Sequence, residues 1–329
     1  MILRWDFVGG LELTLVIIFV TSSIMAFTLL CRREKQANKN MSPLVSHVII
    51  YPIKGCKGVE RYSAHITPNG IVGDRQYCLI VKESSETSDW VTLSQNRCPK
   101  LATISVSLAS AADVMQISAP SRQSLTLRGK LEGPQHEVNF WGSSIRVIDQ
   151  GDDSSRWFSD YLGIECRLAR ILPGMNRKDI ASGEMRTNSL FYHTPILVMS
   201  SESIQAISSA VGEDICYDRF RPNVVIKGVN APFEEDLFCS LNANDWSMDG
   251  SELCVRCSYP GVNQKTGILD PRLVGKFRGI RNPKSIRMHP LYQQHAQSWK
   301  RNDYMVGVYM TCRTESGKIF VGQQVAARF

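Results

Sequence analysis

The 329-residue sequence contains no internal repeat of fixed period, no low-complexity segment and no G-x-G-x-x-G loop. It also lacks a C-x-x-C-H motif, so it carries no flavin, nicotinamide or c-type haem signature of its own. These absences argue against a solenoid, a disordered chain and an oxidoreductase with a built-in nicotinamide or flavin. Any redox chemistry would need electrons from a partner.

Neither positive nor negative charge is in large excess. The net charge is +7, and the one concentrated basic run is at residues 32–39. No basic-aromatic motif accompanies it, so the sequence predicts no nucleic-acid partner. Since 43% of the residues are hydrophobic, the chain can bury a substantial core, as one large domain or two average domains.

The ten cysteines follow no regular spacing. A chain of this size does not need a disulfide framework to be stable, because it can bury enough apolar surface. The sequence therefore predicts reduced thiols in a domain that faces the cytosol.

Residues 13–31 contain no charged residue and no proline. As a helix they would span ~28 Å, close to the hydrocarbon thickness of a bilayer. Four basic residues follow within residues 32–39, whereas the leading side is nearly balanced in charge. The pattern predicts a membrane anchor and linker at residues 1–44, with the rest of the chain cytosolic. A cleaved secretory signal is the alternative, and the endoplasmic reticulum and the outer mitochondrial membrane fit equally well.

Short runs rich in Val, Ile and Tyr predict a mainly β fold with a few helices, an α+β protein. The predicted strands are at residues 45–51, 77–81, 103–108, 145–149, 196–199, 223–228, 306–310 and 318–325. Two helices are predicted, one capped by Ser154 or Ser155 and the other by Ser200 or Ser201. A hairpin turn is predicted at Asp249 and Gly250, with residues 253–257 on the returning strand. A domain boundary is expected between Gly163 and Asn188.

The Cys254-Val255-Arg256-Cys257 motif allows three interpretations. A zinc site would need a second cysteine pair at the usual spacing, and a thioredoxin-like pair should open a helix. On a strand, two cysteines three positions apart point to opposite faces, so only one would face a cavity. Cys257 is favoured because the strand ends near it, although two buried, inert thiols are the commoner outcome.

Three further segments could bind an anion. Residues 51–58 form a glycine-rich turn with Lys54, whose amide groups and ammonium could hold a phosphate. Arg219, Arg221 and Asn223 precede an apolar strand, where guanidinium groups could clamp a phosphate. Arg75 is another candidate. Taken singly, each could also be an ordinary surface turn or salt bridge.

Taken together, these segments resemble the MOSC family, and within it the amidoxime-reducing members. The resemblance lies in VIIYPIKGCKG, GDRQYCLIV, RFRPNVVI, the C-x-R-C motif with Thr266-Gly267, and Gly307-Val308-Tyr309 with Gly322. It implies a MOSC N-terminal β-barrel domain at residues 45–170 and a MOSC β-barrel domain at 171–329. It also implies a molybdenum cofactor, Mo-molybdopterin, bound between them.

The resemblance implies that Cys257 is the catalytic residue and ligates the metal. The residues it implies for cofactor binding are Lys54, Gly55, Arg75, His193, Thr194, Arg221, Asn223, Arg256 and Tyr309. The sequence departs from the family where Gly55 replaces a serine, where Tyr192, His193 and Thr194 replace Asp-Thr-Ser, and where Val255 replaces another serine. These changes leave metal ligation intact and bear on substrate preference.

The function that the resemblance implies is reduction of N-hydroxylated substrates, such as amidoximes and N-hydroxy bases. Electrons would come from cytochrome b5 and NADH-cytochrome b5 reductase, and the protein would be anchored in a membrane, by resemblance the mitochondrial outer membrane. One alternative is a non-catalytic cofactor carrier or sulfur-transfer module, and another is a tethered binding domain that holds no metal.

Overall fold

The computed structural model describes residues 42–83, 89–109, 114–140, 143–172, 174, 176–178, 185–187, 190, 194–286, 288–293 and 298–329. The predicted anchor at residues 13–31 and the predicted site residue His193 lie outside this set. Within the set, no helix has both the length and the apolar character needed to cross a bilayer. Pro43–Phe329 forms one compact unit.

The described residues are mainly β with few helices. The strands are β1 (Leu44–Ile50), β2 (Val59–Arg61), β3 (Ser63–Thr67), β4 (Gly70–Ile71), β5 (Tyr77–Lys82), β6 (Trp90–Thr92), β7 (Ser105–Leu108), β8 (Val114–Ala119), β9 (Arg122–Arg128), β10 (Gln135–Phe140), β11 (Ser143–Asp149), β12 (Arg167–Ile171), β13 (Asn176–Lys178), β14 (Met185–Thr187), β15 (Ile196–Ser200), β16 (Val224–Lys227), β17 (Ser240–Asn242), β18 (Ser247–Val255), β19 (Met305–Cys312), β20 (Gly317–Phe320) and β21 (Ala326–Arg328). The α-helices are α1 (Asp152–Leu162), α2 (Ser201–Val211) and α3 (Pro271–Ile280). Short 3-10 helices lie at Pro99–Thr103, Tyr217–Arg219, Glu234–Leu237, Tyr259–Gly261 and Pro290–Tyr292.

The largest sheet has eight strands in the order β2-β1-β16-β15-β19-β18-β17-β21. Its central strands are nearly continuous runs of Val, Ile and Met, and β15 is buried along its whole length. Such runs suit strands that are covered on both faces. Strands β15 and β16 are parallel and are joined through α2, while the other pairs are antiparallel. The N-terminal strand β1 thus lies beside a strand almost 180 residues further on.

A second sheet, β10-β11-β12-β5-β6, closes into a barrel. Its interior is filled by apolar side chains that alternate along the strands, such as Val138, Phe140, Ile145 and Val147. Helix α1 buries Trp157 and Phe158 against the outside of this barrel. The chain therefore contains a barrel built from residues 77–171 and a large sheet that combines β1 and β2 with later strands.

The predicted hairpin at Asp249 and Gly250 is wrong. Both residues lie inside β18, and the turn that joins β17 to β18 lies between Asn242 and Ser247. Glycine stands at position 250 for a different reason. A Cβ there would lie 2.0 Å from the Tyr292 hydroxyl and 2.6 Å from the Phe238 carbonyl oxygen. Gly250 therefore permits a close approach of neighbouring groups and does not form a turn.

The helix starts agree only in part with the prediction. Ser200 caps α2, and its hydroxyl accepts a hydrogen bond from the Ser203 amide. Helix α1 begins earlier than predicted, with Gly151 as its N-cap at φ 97°, and the Ser154 hydroxyl donates back to the Gly151 carbonyl. Helix α3 was not predicted, although Asp270 followed by a proline is a typical helix start.

Candidate functional site

One cavity of about 760 Å³ brings together nine of the predicted site residues. Arg219, the further anion-binding candidate, does not line it, and its guanidinium donates to the Pro260 carbonyl at 3.2 Å. Those that line it are Lys54, Gly55, Arg75, Thr194, Arg221, Asn223, Arg256, Cys257 and Tyr309. They come from the turn after β1, the turn before β5, the starts of β15 and β16, the end of β18 and the middle of β19. The sequence spreads these segments widely, and the pairing of β1, β16, β15, β19 and β18 as neighbours brings them together.

A buried carboxylate organises one side of the cavity. Asp74 is 3% exposed, and its Oδ1 accepts a hydrogen bond from the Tyr51 amide at 2.6 Å. Its Oδ2 accepts from the Asn223 side chain at 3.0 Å and from Arg75. Asp74 therefore ties together the three segments that follow β1, precede β5 and precede β16. Burial raises the pKa of Asp74, and the Arg75 charge opposes that shift.

Asn223 extends this network into the large sheet. Its amide nitrogen also donates to the Ile49 carbonyl at 3.2 Å, and its Oδ1 accepts from the Leu197 amide at 3.3 Å and from Arg75 at 3.2 Å. The side chain predicted to contact a cofactor is thus largely occupied by protein groups. Its observed contacts are those of a residue that positions Arg75.

Two arginines are held in an unusual backbone conformation. Arg75 has φ 48° and Arg221 has φ 56°, both in the left-handed region that non-glycine residues seldom adopt. Their guanidinium groups lie 4.9 and 4.2 Å from the centre of the Tyr51 ring. Backbone strain of this kind persists only where the surroundings enforce it, and it is concentrated at functional sites.

Two buried polar atoms at the cavity have no hydrogen-bond partner within the described part of the chain. These are Nη2 of Arg221 and Oγ1 of Thr194. The other terminal nitrogen of Arg221, Nη1, donates to the Cys56 carbonyl at 2.7 Å. An unpaired buried donor is costly to the protein, so a ligand that accepts a hydrogen bond here would be favoured.

Lys54 contributes a cation whose charge depends on pH. Its backbone amide donates to the Tyr77 carbonyl at 2.7 Å, which fixes the turn after β1. The pKa of Lys54 is lowered to about 8, chiefly by burial and also by the nearby Arg221 and Arg75 charges, while Cys78 opposes the shift. A bound anion would offset that effect and keep the ammonium protonated.

The sequence had indicated that Cys254 and Cys257 lie on opposite faces of one strand, and this prediction is wrong. Strand β18 ends at Val255, so the alternation of side chains does not extend to Cys257. Cys254 is buried and Cys257 is exposed, and both line the cavity. The Cys257 carbonyl accepts a hydrogen bond from the Tyr304 hydroxyl at 2.9 Å, which holds the chain just past the strand end.

Arg256 connects this strand end to the segment that carries Arg221. Its Nη1 lies 2.8 Å from the Cys254 sulfur, and its Nη2 donates to the Phe220 carbonyl. Tyr309 is hydrogen-bonded to Cys254 from the neighbouring strand β19. The guanidinium predicted to contact a cofactor is therefore also a structural link between two parts of the cavity.

Sequence reasoning missed Asp74 and Tyr51. Asp74 stood in the Gly73-Asp74-Arg75 motif, but a lone acidic residue gave no sign of being buried. Only the long-range pairing of β1 with β16 shows that one carboxylate can reach both Tyr51 and Asn223.

Two family models match the chain. The MOSC N-terminal beta barrel domain matches residues 42–165, and the MOSC domain matches residues 178–326. The chain belongs to the MOSC family. This agrees with the family that the sequence motifs had indicated, and with the barrel and the large sheet in the structure.

Named relatives of this MOSC protein fall into two groups. Mitochondrial amidoxime reducing component 2 of Rattus norvegicus is 28% identical over 295 residues, covering 85% of this chain and 82% of that protein. Mitochondrial amidoxime-reducing component 1 of Mus musculus is 29% identical, covering 75% of this chain and 81% of that protein. Molybdenum cofactor sulfurase of Oryza sativa subsp. japonica is 27% identical, covering 71% of this chain but 30% of that protein.

The Asp74→Asn variant should lose about 3 kcal/mol of unfolding free energy, because it leaves Arg75 without its buried partner and sets two amide donors against each other. Urea denaturation measures the loss. Asp153→Asn is the matched control, since the Asp153–Arg156 ion pair is largely exposed and should be worth well under about 1 kcal/mol. Equal losses in the two variants would contradict a central role for Asp74.

The affinity of the cofactor-free protein for sulfate should fall as the pH rises through about 8, where Lys54 loses its proton. Sulfate keeps a constant charge over this range, so titration calorimetry between pH 7 and 9.5 reports on the protein groups. Lys54→Arg retains its charge and should show a much flatter profile. Parallel profiles for the two proteins would show that Lys54 does not bind the anion.

The Gly55→Ser variant should have an unfolding free energy lower by about 1–2 kcal/mol. Gly55 has φ 90°, and a Cβ there would lie 3.0 Å from Leu101 Cδ1. Gly73→Ser is the matched control, because Gly73 has φ 88° but no heavy atom within 4 Å of a Cβ. Thermal denaturation of both variants separates backbone strain from the contact with Leu101, and equal losses would exclude that contact.

Proposed function

We propose that this MOSC protein binds a molybdenum cofactor of the pterin type and reduces N-hydroxylated compounds. The observation that carries the proposal is the cavity that joins the exposed thiol of Cys257 to Lys54, Arg75 and Arg221. A soft thiolate and clustered cations in the same cavity suit a ligand that carries both a metal and an anionic group.

The residues at the cavity fit such a group. Arg221 Nη2 and Thr194 Oγ1 are buried polar atoms without partners in the described part of the chain, and a phosphate or a pterin ring would satisfy both. Lys54 would bind the anionic group as an ammonium. Cys257 would supply a thiolate to the metal, and Arg256 would hold the strand end that carries it.

When bound, the cofactor would supply the two electrons that, together with two protons, convert the N–O group of a substrate into the amine or amidine and water. The contributions of this chain are to hold the metal through Cys257, to orient the anionic group through its cations, and to shape the cavity in which the substrate meets the metal.

Electrons would come from cytochrome b5 and NADH-cytochrome b5 reductase. The need for an outside electron donor is supported by the amidoxime-reducing names of two relatives and by the lack of a nicotinamide, flavin or c-type haem motif in the sequence. The identity of the donors is what the resemblance to amidoxime-reducing MOSC proteins implies. A membrane anchor at residues 13–31 with the rest of the chain cytosolic, in the mitochondrial outer membrane, would place the protein beside membrane-bound donors.

A non-catalytic cofactor carrier or a sulfur-transfer module is the second candidate. It is favoured by the match to molybdenum cofactor sulfurases, of which this chain corresponds to about a third or less in length. The same cavity would then hold the cofactor without turning over a substrate. The two candidates differ in whether electrons flow from NADH to an N-hydroxylated compound.

The decisive variant is Cys257→Ala in the full chain, produced in a host that makes the cofactor. Its molybdenum content, measured by mass spectrometry of the metal, should fall to a small fraction of the wild-type value because the protein's thiolate is gone. Cys216→Ala is the matched control, since Cys216 is also exposed but does not line the cavity. Equal molybdenum in all three proteins would contradict the assignment.

Reconstitution with the cytochrome and its reductase separates the two candidates. NADH oxidation that depends on both an amidoxime and Cys257 supports the reductase. Molybdenum-loaded protein that leaves NADH unconsumed under these conditions supports the carrier.

A further inference from the structure

A short loop of the barrel contacts both the turn that carries Lys54 and the segment that follows Cys257. The loop follows β6 and contains Ser94, Gln95 and Asn96. The Ser258 hydroxyl donates to Asn96 Oδ1 at 2.6 Å, and Tyr259 is hydrogen-bonded to Ser94 and to the backbone of Gln95. The loop therefore holds the two residues that directly follow Cys257.

Gln95 makes the deepest of these contacts. It is fully buried, and its Nε2 donates to the Gly55 carbonyl at 2.6 Å and to Gln264 Oε1 at 3.3 Å. Gln264 in turn donates from its Nε2 to Gln95 Oε1 at 3.4 Å and to the Val262 carbonyl at 3.1 Å. One amide thus joins the turn that carries Lys54 to the chain that continues from Cys257.

The 3-10 helix that follows this loop packs against the same two segments. The 3-10 helix Pro99–Thr103 lies against both Gly55 and Gly267. A Cβ at Gly55 would lie 3.0 Å from Leu101, and a Cβ at Gly267 would lie 3.0 Å from the Lys100 backbone. There is little room for the Lys54 turn and the loop after Cys257 to move independently of the barrel.

From this geometry we infer that Gln95 is a positioning residue, whose buried amide sets the placement of Cys257 relative to the Lys54–Gly55 turn. The inference rests on the proposed function, in which Cys257 and the Lys54–Gly55 turn bind the same cofactor and so must be correctly placed relative to each other. Groups that orient a metal ligand without touching the metal commonly change metal affinity by about 10–100-fold when they are lost.

The test uses Gln95→Met, which keeps the side-chain length and removes both hydrogen-bonding atoms. The double variant Gln95→Met/Gln264→Met removes the partner left unpaired, and so should recover part of any lost stability. Gln323→Met is the control, because Gln323 is a buried, hydrogen-bonded glutamine that does not line the cavity. Thermal denaturation reports the stability of each variant.

Two readouts separate positioning from stability. The first is the alkylation rate of Cys257 in cofactor-free protein, resolved from that of Cys216 by peptide mass spectrometry. Gln95→Met and the double variant should change the Cys257 rate severalfold and leave Cys216 unaltered. The second is molybdenum retained on dialysis, where affinity should fall about tenfold in both variants and remain unaltered in Gln323→Met.

A Cys257 rate that matches wild type, or that changes only in proportion to Cys216, overturns the inference. So does unchanged retention of molybdenum in Gln95→Met when wild type holds the metal. If the double variant recovers stability, rate and retention together, Gln95 acts only through packing and the inference is again wrong. Wild type that holds no molybdenum would contradict the proposed function instead, and the alkylation rates would still decide the role of Gln95.

Discussion

The Asp74 carboxylate is the interaction on which the site depends. It is buried, yet it is shared by the Tyr51 amide, the Asn223 side chain and the Arg75 guanidinium. A buried charge is tolerated only when it is paired and fully hydrogen-bonded. The hydrogen bonds that satisfy Asp74 bring the turn after β1, the turn before β5 and the start of β16 together. These contacts fix the relative positions of the segments that line this side of the cavity.

The clustered cations around the cavity raise the free energy of the protein when no anionic ligand is bound. Arg75 and Arg221 have strained backbones and stack on the same ring, and Lys54 is desolvated nearby. Like charges repel, and an unpartnered guanidinium nitrogen costs free energy. A fold maintains such a cluster when an anionic ligand offsets the repulsion, and the proposed cofactor would be such a ligand.

Local patterns predicted strands such as β1, β5, β15, β16 and β19, because runs of Val, Ile and Tyr are properties of short segments. The residues that line the cavity were implied by the resemblance to the MOSC family, which rests on the order of the motifs. The sequence predictions failed at positions whose structure depends on contacts with residues distant in the sequence. Gly250 was taken for a turn, but it accommodates Tyr292, and Cys257 was placed on a strand that ends two residues earlier. Asp74 and Gln95 gave no local signal, since their partners lie up to 169 residues away and only the packing of the barrel against the large sheet brings them together.

X-ray absorption at the molybdenum edge tests the central claim, that Cys257 meets the metal in this cavity, most directly. Wild-type protein and the Cys257→Ser variant would be loaded with cofactor and compared. The account predicts that the molybdenum retained by the variant has one sulfur neighbour fewer and one oxygen neighbour more, because the serine oxygen replaces the thiolate. Identical sulfur coordination in the two proteins would contradict it.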